Sequence, residues 1–371
     1  MRSTIIAALA VVSLGLAACG GEEPPPAPPA PPPPPPPAET ASAAPTDTAP
    51  PAPPPKPALA DVIPQTLKTI GDAFNAHDAQ KMAGAFTDDA AIYAYGEGET
   101  HSKGDMANGM KQFFQTFGDA KSAATRVWIK GNVAAMELVW AGTMTGDMMG
   151  MKATNKPVGA TRLHVMWFND DGLVKEMHEY GDDAPTMMQM MGKKGAAPVP
   201  TIPTNPPEVH IAKGTPDEDK LADWGKSVAD TFSKDDPKAS AALWADDGDM
   251  SMGDGSPAIK GKKNIQKTIA GFYKTMPDMK DTVSNAWGID GFAIVEHAIS
   301  GTDKGPMGPI PATGKTVTGW HMVDIMQPSA DNKIMHDWGY ANSNELLAQI
   351  GQLKGPGGDN AKAPPAKPKT K

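Results

Sequence analysis

The sequence predicts an α+β protein made of two copies of one domain, each with helices first and an antiparallel sheet after them. Three observations support this fold class. The segments 59–192 and 216–353 repeat each other in order. Each segment opens with apolar residues at helical spacing. Each then continues with apolar runs bounded by Gly, Asn and Asp, which is typical of strands.

The repeat is visible at matched positions of the two segments. Phe74 aligns with Phe232, and Asp78 aligns with Asp236. Near the end of each copy, TRLHVMWFNDDGLVKEMHEYGD aligns with TGWHMVDIMQPSADNKIMHDWGY. Because an order repeated over this length is hard to obtain by chance, we infer a tandem duplication.

Three helices are predicted at the start of each copy. The first is amphipathic, since its apolar residues recur every three or four positions. The second is short, and the third follows a glycine-containing loop. The predicted helices are 67–74, 82–86 and 106–117 in the first copy, and 221–232, 239–244 and 264–276 in the second.

The remainder of each copy is predicted to be a meander of strands. In the first copy the strands are 125–130, 133–143, 160–168 and 173–181. The sequence NDDG at 169–172 lies between the last two runs and is a strong hairpin signal.

The N-terminal segment has the features of an export signal. Arg2 precedes an apolar run over 5–16 that is too short to span a bilayer, which needs ~20 apolar residues. The residues at 16–19, LAAC, resemble the lipobox of bacterial lipoproteins, in which the Cys becomes the lipidated first residue. The alternative is a chance Cys at the end of an ordinary signal peptide. We predict a signal peptide at 1–18, lipidation at Cys19 and, because Gly20 follows, an outer-membrane location facing the periplasm or the cell surface.

Segments of low complexity flank and separate the two copies. Residues 19–58 are rich in Pro and predict a semi-rigid tether to the membrane. Residues 193–215 form a Pro-rich linker, and 354–371 a basic, disordered tail. The formal net charge of −9 argues against a nucleic-acid partner. The single cysteine excludes an intrachain disulfide and a cysteine metal site.

Several residues of the second copy follow a recognisable order. They are PATGK at 311–315, His321, Asp324, His336, Trp338 and LLAQIG at 346–351. This order resembles the SnoaL-like polyketide and ester cyclases of the nuclear transport factor 2-like superfamily. The first copy carries a weaker version with ATNK at 153–156, His164 and His178. The resemblance implies a curved sheet wrapped by helices around a conical pocket, in a fold that hosts isomerases, cyclases and non-catalytic binders.

Polar residues recur at matching strand positions of the two copies. Glu137, His164 and His178 match Glu296, His321 and His336. Side chains opposite each other on neighbouring strands share a face. Hairpin centres near 150 and 171 therefore predict a Glu–His–His row across three strands of each copy.

His321 and Asp324 are three positions apart on one predicted strand. They therefore point to opposite faces of the sheet unless a β-bulge intervenes. Asp324 shares its face with Trp320. The sequence leaves open which of these faces lines the pocket.

The first functional hypothesis is a small-molecule enzyme of cyclase or isomerase type. In SnoaL-like cyclases the acid–base group is a pocket Asp, so the resemblance points to Asp324, with His321 or His336 as the other candidate. Position 324 aligns with Trp167 in the first copy, which predicts a binder or scaffold there. The expected ligand is a small apolar molecule, with Glu296, Trp320, Trp338, Glu137, His164 and His178 as candidate pocket residues.

Three alternatives remain open at this point. The pocket could bind a ligand or partner without catalysis. Zinc accepts a Glu–His–His set and copper(I) accepts the thioethers of the 23 Met, although no tight His or Met cluster is present. The His and Glu side chains could also be solvated on the outer face of the sheet. No GxSxG, HExxH or Walker pattern occurs, and we predict no cofactor.

Both faces of the strand that contains His164 are apolar. Leu163, Val165 and Trp167 lie on one face, and Met166 and Phe168 on the other. Since such a strand requires cover on both sides, we predict that the two copies pack sheet to sheet as a pseudo-dimer within one chain.

Overall fold

A computed structural model describes residues 57–95, 100–148 and 150–352. Cys19, the predicted signal peptide, nearly all of the predicted tether and the C-terminal tail lie outside the described residues. Within the described ranges, no helix is both long enough and apolar enough to cross a membrane.

The first domain contains four helices and six strands in a mixed order. These are α1 (Leu59–Asn75), α2 (Ala79–Ala83), β1 (Phe86–Ala94), β2 (Thr100–Ser102), α3 (Lys103–Thr116), β3 (Lys121–Lys130), β4 (Val133–Thr143), β5 (Pro157–Phe168), β6 (Val174–Tyr180) and α4 (Ala184–Met190). All three early helices are present, but α2 begins and ends three residues earlier than the predicted 82–86, and Phe86 is the first residue of β1. The strands β1 and β2 were not predicted.

The second domain repeats this order. Its elements are α5 (Pro216–Phe232), α6 (Pro237–Ala242), β8 (Trp244–Ser251), β9 (Ile259–Lys260), α7 (Lys262–Thr275), β10 (Lys280–Ile289), β11 (Phe292–Thr302), β12 (Thr316–Pro328), β13 (Ile334–Ala341) and α8 (Ser343–Gln349). One further strand, β7 (Glu208–Ile211), lies in the segment that was predicted as a linker.

Local sequence signals explain several helix starts. Ser102 and Asp105 form a capping box at the start of α3, in which each side chain bonds the backbone N–H of the other. Thr215 and Glu218 form the same motif at α5, where Pro216 occupies a first-turn position. Asp236 caps α6 by accepting the backbone N–H groups of Lys238 and Ala239.

Each domain has one sheet, and the sheets are mixed. The strand orders are β2-β1-β6-β5-β4-β3-β7 and β10-β11-β12-β13-β8-β9. The meander strands pair antiparallel, as predicted. The pairs β1–β6, β8–β13 and β3–β7 are parallel. The α+β class and the two tandem domains are therefore as predicted, but the sheets are not purely antiparallel.

One face of each sheet is covered by the domain's own helices, and we call it the inner face. In the first domain Met136 and Met166 of the sheet pack with Ile63 and Leu67 of α1. In the second domain Val295 and Met326 pack with Ile265 and Ile269 of α7. Burial of these apolar side chains is the main stabilising contribution of each domain.

The opposite face of each sheet, here called the outer face, belongs to a further buried cluster. This cluster contains Leu163 and Val165 of the first sheet together with Ile294 and Val323 of the second. Trp128 of β3 contacts Phe292 of β11 at a ring-centroid distance of 5.5 Å. Apolar side chains of the two outer faces are therefore in mutual contact.

Candidate functional site

The strand register of the first domain places His164 and His178 on different faces. His164 lies opposite Glu179, and His178 lies opposite Val165. Glu137 lies opposite Leu163. His164 therefore points to the inner face, whereas Glu137 and His178 point to the outer face. The predicted Glu137–His164–His178 row is wrong.

A β-bulge explains this error. Next to the hairpin turn, Phe168 pairs with Val174, in agreement with a turn centred at 171. One position further, Trp167 pairs with Glu176, so the register has shifted by one residue. A shift by one residue moves a side chain to the other face of a sheet.

The second domain has the same bulge, with Pro328 paired to Ile334 and Gln327 paired to His336. His321 lies opposite Ala298, and Glu296 lies opposite Val323. Glu296, His321 and His336 all point to the outer face, but none of them is opposite another. The predicted row is wrong here as well.

The register also corrects the alignment of the two copies. Glu137, Leu163 and Tyr180 are paired in the first sheet. Glu296, Val323 and Tyr340 are paired in the same way in the second. The residue after Leu163 therefore matches the residue after Val323, so Asp324 corresponds to His164 and not to Trp167.

Two outer-face glutamates connect the domains. Oε1 of Glu296 accepts a hydrogen bond from the Tyr180 hydroxyl at 2.7 Å and lies 2.7 Å from Nδ1 of His178. In the reverse direction, Tyr340 donates to Glu137. Burial is the largest effect on the pKa of Glu137 and would raise it. The hydrogen bonds (2.6 Å to Nη2) and the charge of Arg126, together with hydrogen bonds from Thr125 and Tyr340, outweigh burial, and the pKa is lowered.

The other candidate site residues of the second domain, His321, His336 and Trp338, also point to the outer face. His321 stacks on Tyr95 of the first domain at a centroid distance of 4.3 Å, and its Nδ1 lies 2.6 Å from Glu345. Nδ1 of His336 lies 3.1 Å from Asp249. Trp338 lies under the guanidinium of Arg126, 4.1 Å from its ring centroid. These contacts tie His321 and Trp338 to the first domain.

Asp324 points to the inner face of the second domain, the face that also carries the buried Trp320. Its Oδ2 lies 3.1 Å from Nε2 of His297. Nδ1 of His297 lies 2.7 Å from Oδ1 of Asp281. The carboxyl group of Asp324 is 24 % exposed, so it is the accessible end of an Asp–His–Asp chain of hydrogen bonds.

The imidazole of His297 is charged in this arrangement. Burial alone would lower its pKa. The negative charges of Asp281 and Asp324 together have a larger and opposite effect, and the pKa is raised to about 10. His297 is therefore an imidazolium at neutral pH. Its Nε2–H donates a charge-assisted hydrogen bond to the carboxyl group of Asp324.

A fourth titratable residue, Asp337, lies next to this Asp–His–Asp group on the following strand of the sheet. Asp337 lies on β13 opposite Met326, while Asp324 lies opposite Gly339. Asp281, His297, Asp324 and Asp337 thus come from four neighbouring strands, each displaced by two residues from the direct partner of the previous one. We call these four residues the diagonal row. Such diagonal neighbours remain within reach of each other.

The first domain does not repeat the diagonal row. Its matching residues are Ser122, Leu138, His164 and Met177. Burial, and secondarily the charge of Arg162, lowers the pKa of His164 to about 4, so this imidazole is neutral at pH 7. Its Nε2 lies 3.8 Å from Glu179. The two inner faces therefore differ in charge and in donor set.

Comparison with known proteins identifies the repeated domain. The family model of the SnoaL-like polyketide cyclases matches residues 65–190 and 224–350, more than half of the chain. The chain belongs to this family. Each match covers one of the two domains, so the duplication is a duplication of the SnoaL-like domain.

Several solved structures are similar to parts of this chain at low identity. AclR of Streptomyces galilaeus is 19% identical, with 36% of this chain and 98% of that chain covered and a TM-score of 0.33. IdmH of Streptomyces antibioticus is 24% identical, with 35% and 97% covered and a TM-score of 0.31. A SnoaL-like protein of Jannaschia is 14% identical, with 37% and 94% covered and a TM-score of 0.34. A search of curated proteins found no sequence match.

Two small cavities occur near the SnoaL-like domains' mutual boundary. One is lined by Gln189, Pro198 and Asp254 among others, and the second by Tyr95 and Arg162 among others. Each has a volume of about 30 Å³, which leaves room for water. Neither is lined by the diagonal row.

The described part of the chain contains no group of three or more His, Cys, Asp or Glu residues placed to hold a metal ion. The Glu–His–His ligand set also fails on register, as described above. The structure therefore offers no support for the metal alternative within the described residues.

Sequence reasoning missed His297 and Asp281. His297 directly follows Glu296 in AIVEHAIS, and it alternates with Val295 and Ile299 on the inner face. The signal was present, because a His inside an otherwise apolar alternating strand marks a polar group on a buried face.

Proposed function

We propose that the second SnoaL-like domain performs acid–base chemistry of cyclase or isomerase type on a small apolar molecule that bears a carbonyl group. The observation that carries this proposal is the position of Asp324. Its carboxyl group is on the inner face, it is partly accessible, and it is hydrogen-bonded to a buried imidazolium. A general base must be ionised and accessible to the proton it removes.

Asp324 would take a proton from the carbon next to the carbonyl group, which leaves an enolate. It would then return the proton, either to a different carbon or to the oxygen formed by ring closure. His297 orients the carboxylate through Nε2, and Asp281 fixes the ring of His297 through Nδ1. The roles of His321 and His336 as acid–base partners are not supported, since both point to the outer face.

The first SnoaL-like domain would bind a ligand or serve as a scaffold. It has no carboxyl group at the position of Asp324, where His164 stands instead. The neutral imidazole of His164 takes the place of the Asp–His–Asp chain there.

The second candidate function is non-catalytic binding of a small apolar ligand or a partner by both SnoaL-like domains. The first domain favours it, because it has His164 and no carboxyl group at the position of Asp324. Native mass spectrometry of the purified chain would detect a co-purified molecule and identify its mass.

Deuterium incorporation tests the catalytic proposal without knowledge of the substrate. Carbonyl compounds of increasing size are incubated with the protein in D₂O, and exchange at the adjacent carbon is followed by NMR. We expect exchange with wild-type protein, a loss of ~10²–10⁴-fold with Asp324→Asn, and no loss with His164→Gln in the first domain. Equal exchange by the wild type and Asp324→Asn would remove the proposal.

The pseudo-dimer within one chain is also proposed. Its support is the reciprocal pair of Tyr–Glu hydrogen bonds and the shared apolar cluster of the two outer faces. Small-angle scattering that fits two separated lobes would contradict it.

The outer-membrane lipid anchor at Cys19 remains a proposal that rests on the sequence. Metabolic labelling with radioactive palmitate, followed by fractionation of outer and inner membranes, tests it. We expect label and outer-membrane association in the wild type and neither in Cys19→Ala. Label in Cys19→Ala would exclude this lipidation site.

A further inference from the structure

Asp337 belongs to the diagonal row, but the proposed reaction assigns no role to it. It lies on β13, diagonally next to Asp324 on β12. A Cβ atom at Gly339 would lie 2.8 Å from Oδ1 of Asp324. Because Gly339 has no side chain, the carboxyl group of Asp324 has room next to β13, the strand that contains Asp337.

Asp337 is buried and has a carboxyl oxygen left unsatisfied by the described residues. The residue is 8 % exposed, and its Oδ1 has no hydrogen-bond partner among the described residues. The charged groups that act on it are Asp324 of β12, His297 of β11 and Asp249 of β8. Burial raises the pKa of Asp337 well above its usual value, and the negative charge of Asp324 adds to this effect.

Asp324 and Asp337 differ in how well their surroundings tolerate a negative charge. Asp324 is partly exposed and bonded to the imidazolium of His297. Asp337 is less exposed, and the charge of His297, which lowers its pKa, has a smaller effect than burial, which raises it. Because the negative charge of Asp324 also disfavours the ionised form of Asp337, we expect Asp337 to be the group that retains a proton.

We propose that Asp337 is a positioning residue that keeps a proton at neutral pH beside the carboxyl group of Asp324. This inference rests on the proposed function only for the use made of Asp324. If Asp337 lost its proton, a second negative charge would lie beside the carboxyl group that the proposed reaction uses.

Infrared spectroscopy of the purified full-length chain in D₂O tests the proposal directly. A protonated carboxylic acid has a C=O stretching band at higher frequency than carboxylate or amide groups. We expect this band in the wild type at pH 7 and its loss in Asp337→Asn. The matched control is Asp182→Asn, because burial also raises the pKa of Asp182. The control should keep the band.

Absence of the band in the wild type, or its persistence in Asp337→Asn, would overturn the assignment. If Asp337→Asn does not fold, Asp324→Asn provides a second measurement. We expect the band in this variant to disappear at a lower pH than in the wild type, because the neighbouring charge is gone. An unchanged midpoint would contradict the coupling of the two groups.

The infrared result does not depend on catalysis, because the measurement is made without a ligand. A band assigned to Asp337 together with no deuterium exchange would refute the proposed function and leave the proton on Asp337 established. Deuterium exchange that depends on Asp324, together with no infrared band, would support the proposed function and refute the proton on Asp337.

Discussion

Tyr180 of the first sheet donates a hydrogen bond to Glu296 of the second sheet at 2.7 Å, and this bond has a counterpart in the opposite direction. Tyr340 of the second sheet donates to Glu137 of the first. The tyrosines occupy matching strand positions, and so do the glutamates. This reciprocity supports the proposed pseudo-dimer, because a contact of residue i with j that is repeated as j with i is the pattern of an isologous interface.

Tyr180→Phe removes one of these two bonds. Glu296 is fully buried, so it would lose a hydrogen-bond donor without gaining water. We expect a loss of about 1–3 kcal/mol in the free energy of unfolding, measured by urea denaturation. Tyr93→Phe is the control, because Tyr93 is only half-buried and removal of its hydroxyl should change stability by less than about 0.5 kcal/mol. Equal effects of the two substitutions would argue against the bond.

The sequence predicted the helices, the meander and the duplication well. Those features follow from apolar periodicity and from turn residues such as NDDG at 169–172, which act locally. It failed on the faces of the strands, because the bulge beside Phe168 shifts the register by one residue and no residue type signals this bulge. Since face depends on register, His164 and His178 were grouped although they point in opposite directions.

The candidate site was predicted only in part. Asp324 and Trp320 were placed on one face, and the structure shows this face to be the inner one. Its partner His297 lies on a neighbouring strand, 27 residues away. Such a contact depends on the pairing of two long strands around a connection of irregular length, so alternation within one strand could not give it.

Because His297 is charged in the fold, we expect the free energy of unfolding to decrease at alkaline pH. Its folded pKa of about 10 lies above the usual value of 6.5. The stabilisation is therefore fully present below about pH 6.5 and is lost as the pH rises through about 10. A tenfold difference in proton affinity between the folded and unfolded chains corresponds to ~1.4 kcal/mol. Compared with His297→Gln, the wild type should lose its advantage in urea denaturation between pH 7 and about pH 10; a constant difference would contradict an imidazolium at this site.

His164 should show the opposite dependence. Its folded pKa of about 4 lies below the usual value of 6.5, because it is buried near Arg162. Its contribution is present above about pH 6.5 and is lost as the pH falls through about 4. The wild type should therefore lose stability relative to His164→Gln on the acid side only. A loss on the alkaline side would mean that the imidazole is charged in the fold.

Strand β7 lies in the segment between the two domains, and its residue His210 contacts both of them. Its ring stacks on Trp128 of the first domain, and its Nδ1 lies 3.0 Å from Asp290 of the second. We expect His210→Ala to lower the free energy of unfolding by about 1–3 kcal/mol, because it removes a partly buried hydrogen bond and ring packing. Val209→Thr is the control, since Val209 is 47% exposed and its replacement should be nearly neutral. If both variants unfold at the same urea concentration as the wild type, β7 does not hold the domains together.

Gly288 is required by the close approach of α5 to β10. A Cβ atom at this position would lie 1.8 Å from the backbone oxygen of Glu218, which cannot move aside as a side chain can. Gly288→Ala should therefore displace the start of α5 and destabilise the second domain by at least the ~1–3 kcal/mol typical of overpacking. Gly271 within α7 is the matched control, because a Cβ there meets nothing within 4 Å. Gly271→Ala should instead stabilise by about 0.5–1 kcal/mol, since glycine weakens a helix interior. Thermal unfolding of the two variants decides the point: a midpoint for Gly288→Ala at or above that of the wild type would show that α5 does not approach β10 this closely.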